Sequence, residues 1–207
     1  MTTTTTTTSD AATEETGGAR RFVAALNGRW HRTAMWAFLG IVVAHWAEHL
    51  VQAFQIWVSD TPRPEARGVL GAAFPVLIKE EWLHYGYAVV MLIGLFLLRP
   101  GMTGRARTWW TIALGLQFWH HIEHLLLFVQ AATDTPFFGK DVPTSVVQLF
   151  YPRVELHLFY NVVVFAPMVV AMYVHMVPPV SERSKPAACG CRLKAIDELS
   201  RLGPAPA

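Results

Sequence analysis

Cysteine is almost missing from this chain. The 207 residues hold two, Cys189 and Cys191, both near the C-terminus. That excludes a disulfide framework within the body of the protein. A C-G-C in a polar tail reads as solvated chain before it reads as a metal clasp. Charge is scarce too: Asp, Glu, Lys and Arg make up 15% of the residues, against about 25% in an ordinary soluble domain. The net charge of +2 comes with no basic stripe or stacking motif, so nucleic acid is not an expected partner. The N-terminal stretch is polythreonine followed by an acidic patch, which is not the pattern of a cleavable signal peptide.

What the chain has instead is apolar length. Hydrophobic residues reach 53% and the mean hydropathy is +0.31. Four long apolar runs account for it, at about 34–57, 80–98, 107–130 and 152–177. Each is long enough to cross a bilayer as a helix. The expected fold is therefore all-α and integral to the membrane: a bundle of four transmembrane helices. Residues 1–19, rich in Thr, Ala and Gly, are expected to be disordered. Residues 20–178 form the membrane domain and 179–207 a cytoplasmic tail. Arg99-Pro100-Gly101 ends the second run. The apolar piece at 69–78 is too short to cross and is expected to be re-entrant or interfacial.

Basic residues are unevenly spread. Twelve of the 17 Lys and Arg lie in the N-terminal arm, the 99–107 loop and the C-terminal tail. The positive-inside rule then puts both termini in the cytoplasm and the two long loops outside a multi-pass cell-membrane protein. Trp30, Trp36, Trp109 and Trp110 fall near the inner ends, and Trp57 and Trp82 near the outer ends.

Within the first run stands His45-Trp46-Ala47-Glu48-His49, an H-x-x-E-H. It recurs 75 residues later as His120-His121-Ile122-Glu123-His124. At ~100° per residue the two histidines and the glutamate of each set share one helix face. The other two runs align as well: Leu83-His84 with Leu156-His157, and Tyr87 with Tyr160, at an offset of 73. The chain thus reads as two tandem two-helix repeats, about 33–99 and 105–178, in parallel orientation.

Ionisable side chains in apolar spans are costly and mark sites. The two halves together offer His45, Glu48, His49 and His84, and His120, Glu123, His124 and His157 as metal ligands. Helix bundles build dinuclear sites from inward His and Glu at such spacings. Six imidazoles and two carboxylates suit a divalent metal, iron first, with zinc or copper as alternatives. Glu48 and Glu123 are also the candidate catalytic bases. Glu80 and Glu81, flanking His84, are further candidates for ligation or for acids that favour a helix start. Tyr85, Tyr87, Tyr160, Trp46 and Trp119 read first as packing or belt residues. His121 lies ~100° from His120 and is as apt to face a neighbour as the site.

In chemistry, though not in sequence, the arrangement resembles the histidine-rich membrane desaturases and hydroxylases. Those enzymes hold non-haem iron with histidines on membrane helices. Their H-x-x-H-H boxes are absent here. The leading expectation is a metal-dependent membrane oxidoreductase, acting near the outer face on an apolar or membrane-soluble substrate. The competing expectations are a zinc hydrolase with Glu48 or Glu123 as base, a haem-binding electron-transfer protein, and a non-catalytic metal-handling or transport protein.

Overall fold

A computed structural model describes residues 8–63, 65–74 and 81–182, with the side chains of 8–16, 82 and 83 left aside. Among these residues every regular element is helical. Six α-helices follow in order: α1 (Thr8–Asn27), α2 (His31–Trp57), α3 (Gly68–Ala73), α4 (Glu81–Leu98), α5 (Gly104–Thr133) and α6 (Arg153–Met176). Short 3-10 turns cover Arg99–Gly101, Val147–Leu149 and Val180–Glu182. Three helices, α2, α5 and α6, are long and apolar enough to cross a membrane. Glu80, Cys189 and Cys191 lie outside the described residues.

Residues 8–19 form the first turns of α1. The Ala and Glu residues of Ala11-Ala12-Thr13-Glu14-Glu15 favour helix, and that preference outweighs the cost of Gly17 and Gly18.

Helices α2, α4, α5 and α6 pack as a ring in which α2 neighbours α4, α4 neighbours α5, α5 neighbours α6, and α6 neighbours α2. The two H-x-x-E-H helices, α2 and α5, thus stand on opposite sides. Below the histidines, towards the chain termini, the ring is filled by an apolar core. It includes Met35, Phe38, Met91, Leu95, Met102, Trp110, Met168 and Met172. Trp110 satisfies its indole N–H by donating to the carbonyl of Leu95 at 2.7 Å, as a buried indole must. Gly94 lets Phe38 lie flat against α4, since a Cβ there would overlap the ring. The outward faces carry Phe54, Phe96, Phe118, Phe159 and Tyr173, all exposed. Such an apolar perimeter is a liability in water and a match for lipid.

The helix ends explain the loops. Thr103 is extended before α5, and Gly104 enters the helix at φ +55°. A Cβ on Gly104 would collide with the Glu182 carboxylate, which accepts the Arg105 N–H at 3.3 Å from both oxygens. A negative group at a helix N-terminus is favourable. At the other end, Asp134 takes the left-handed conformation, φ 49°, and closes α5. Pro152 is extended before α6, where its missing N–H costs nothing. Pro167 lies inside α6 and removes one of its backbone bonds.

Candidate metal centre

The helical spacing of the first motif puts the rings of His45 and His49 edge to face, 4.5 Å between centroids. Their Nε2 atoms are 3.1 Å apart. The second motif does the same: His120 and His124 have centroids 4.5 Å apart and Nε2 atoms 3.2 Å apart. Two nitrogens bound ~2.0–2.1 Å from one metal stand roughly 2.9–3.4 Å apart, for bond angles between square and tetrahedral. Each helix thus holds a hydrogen-bonded histidine pair, a two-nitrogen clip whose spacing would also suit two ligands on one ion.

His157 comes between the clips. Its ring centroid is 5.3 Å from that of His49, 5.0 Å from His124 and 5.7 Å from His120. His84 stands 6.3 Å from both His124 and His157. All six histidines singled out from the sequence are gathered in one layer of the bundle. Among the described residues, no group of three or more His, Cys, Asp or Glu stands close enough to hold a metal ion as it is.

Two rings have their tautomer set by neighbours. His49 donates from Nδ1 to the side-chain oxygen of Gln52 at 2.9 Å. His157 donates from Nδ1 to the Arg153 carbonyl at 2.8 Å. An oxygen acceptor forces the proton onto Nδ1, so Nε2 keeps its lone pair, the arrangement seen in metal-ligating histidines. The His157 Nε2 is buried and makes no hydrogen bond.

Tyrosines cover the deeper histidine of each clip. Tyr87 stacks on His45, centroids 3.7 Å apart and planes 11° from parallel. Tyr160 lies over His120 at 4.4 Å and 32° and receives the Trp119 indole N–H at 2.8 Å. His121 turns away from the cluster and stacks on Tyr85.

The glutamates do something the sequence did not announce. Glu48 accepts backbone N–H groups from Val69 at 3.0 Å, Leu70 at 2.9 Å and Gly71 at 3.4 Å. It caps α3 from the neighbouring helix. Gly68 reaches this contact at φ +70°, and a Cβ there would overlap the carboxylate. Glu123 accepts the Val147 N–H at 3.2 Å through Oε2, while its Oε1 is buried without a hydrogen-bond partner. Both motif glutamates thus fasten the short segment of the loop that follows their own helix. Only Glu123 keeps an oxygen unengaged by the protein.

Other loop anchors were missed in the sequence. Gln55 accepts the Gly68 N–H at 2.9 Å. Gln130 accepts from Phe137 and Thr144 and donates to the carbonyls of Leu126 and Thr144. These two glutamines are 75 residues apart, the motif's own offset, and that spacing was the available signal. Glu81 is held by both guanidinium nitrogens of Arg153, at 2.5 and 2.6 Å. Arg63 makes a like fork to Glu155 at 3.0 and 2.6 Å, and this neighbour holds the Arg63 guanidinium above its ordinary pKa.

Comparison with known proteins adds no relative: no family model, no curated protein and no solved structure matches this chain.

Proposed function

We propose that the protein is a metal-dependent membrane oxidoreductase whose centre lies in the histidine layer, near the outer face. The observation that carries this reading is the pair of matched clips, His45–His49 and His120–His124, with ring nitrogens 3.1 and 3.2 Å apart. In this reading His45 and His49 serve one ion and His120 and His124 a second, with His157, which lies near both pairs, and His84, near His124 and His157, completing the shell. The matching Tyr–His stacks and glutamate caps favour an origin by tandem duplication. The apolar length of α4 favours a fourth transmembrane span, and the basic asymmetry favours cytoplasmic termini.

The donors are mostly imidazoles, since Glu48 is taken up by three amides. Iron remains the first metal and copper gains ground, because imidazole serves both. When bound, such a metal would supply redox chemistry toward oxygen and an apolar substrate. The chain's own contributions are definite. Gln52 and the Arg153 carbonyl orient two rings. Tyr87 and Tyr160 shield the deep side, and the apolar core beneath excludes water.

One observation favours a second reading. Glu123 Oε1 is buried and unbonded, as a base beside a metal-bound water would be. With zinc in the site, hydrolysis would take first place, with Glu123 and not Glu48 as the base. Elemental analysis of the purified protein separates the two. Iron or copper supports oxidation, and zinc alone supports hydrolysis.

A further inference from the structure

Beside the histidine layer, on the outward side of α6, lies a cavity of about 270 Å³ lined by Val147, Tyr151, Glu155, Leu156 and Phe159. It is just below the ~300–1,000 Å³ typical of ligand pockets. Its lining is apolar apart from Glu155 and the Tyr151 hydroxyl, and Tyr151 and Phe159 are exposed on the bundle's perimeter, where lipid would lie. Two of its walls are shared with the candidate centre. Leu156, buried, also borders the small space lined by His120, Glu123, His124 and His157. Val147 is the residue whose N–H is held by Glu123.

We infer that this cavity is the lateral entry and binding site for the substrate, and that the substrate is an uncharged apolar chain delivered from the membrane. The inference rests on the oxidoreductase reading for its purpose but not for its geometry. An apolar lining recovers about 25 cal/mol per Å² of apolar surface taken from water, and offers a polar body little beyond the Tyr151 hydroxyl. Glu155, the one charge at the rim, is neutralised by the two-nitrogen fork of Arg63, so an ionic headgroup finds no unpaired counter-charge. The volume admits an alkyl or isoprenyl segment and not a whole lipid. Leu156 is the partition: a chain end that displaces it meets Glu123, His124 and His157. The 147–149 turn, fastened by Glu123, is the opposite wall. The glutamate cap therefore sets the width of the entrance.

The test is photolabelling of the full-length protein in lipid nanodiscs with a decyl chain bearing a diazirine, competed by unlabelled decanol. The expected result is saturable, competable labelling within residues 147–159. Leu156→Phe and, from the other wall, Val147→Phe should each reduce it about tenfold, the loss of ~1.4 kcal/mol of binding. Metal content, measured on the same samples, should be unchanged in Val147→Phe. Labelling that stays linear with probe and matches that of the lipid-facing Phe96 and Phe118 segments would overturn the proposal. So would saturable labelling that neither variant reduces. Saturable labelling in a protein that binds no metal would keep the cavity and remove the enzymatic reading.

Discussion

The carboxylate of Glu48 and the backbone N–H of Leu70 meet at 2.9 Å, so α2 and the loop that follows it are joined across 22 residues. Hydrogen bonds to charged groups are worth ~1.5–3 kcal/mol. Glu48→Gln keeps an acceptor but loses the charge. It should leave metal content near wild type while speeding amide hydrogen exchange at 69–71. Glu123→Gln should reduce metal binding or turnover as well, because Oε1 of Glu123 has no hydrogen-bond partner to occupy it. Equal metal loss in both variants would show that Glu48 is a ligand after all.

Gly68 offers a separate probe of the same cap. At φ +70° any L side chain is strained, and a Cβ would overlap the Glu48 carboxylate. Gly68→Ala should lower the melting temperature, with a cost of at least ~1–2 kcal/mol from backbone strain alone. An unchanged melting temperature would mean that the cap is not formed in the folded protein.

The Arg153–Glu81 fork ties the start of α6 to the start of α4. It is partly buried, so breaking it should cost between the ~1 kcal/mol of an exposed pair and the ~3–5 kcal/mol of a buried one. Arg153→Ala and Glu81→Ala should be less damaging together than the sum of the two. A double-mutant cycle with zero coupling would deny the pair. His157 takes its orientation from the backbone carbonyl of residue 153, which Arg153→Ala keeps, so metal content should stay near wild type in that variant.

The proposed topology has its own check. In a chain with its cysteines replaced, Ser59→Cys and Pro143→Cys should react with an impermeant maleimide added from outside whole cells. Reaction only after the inner face is opened would invert the bundle and move the histidine layer to the cytoplasmic side.

How much of this was legible in the sequence depends on the range of the interaction. The long helices follow from apolar length, and the six-histidine layer from two motifs at equal helical spacing with matched partners on α4 and α6. Those are local regularities, and the packed ring had few other ways to bury them. The glutamates read as ligands because spacing shows which face a side chain occupies but not what folds over it. The amides of Val69, Leu70 and Gly71 reach Glu48 only because Gly68 turns the chain back. The pairs Arg63–Glu155 and Arg153–Glu81 join residues 92 and 72 positions apart, a distance at which one sequence carries no pairing signal.

Metal stoichiometry tests the central claim most directly. Wild-type protein purified after growth with iron, copper and zinc supplied should hold about two transition-metal ions per chain, as dinuclear bundle sites do. His49→Ala or His124→Ala should each weaken binding by about tenfold or more, and the double variant should hold none. Full occupancy in the double variant, or a metal-free wild type, would contradict the account.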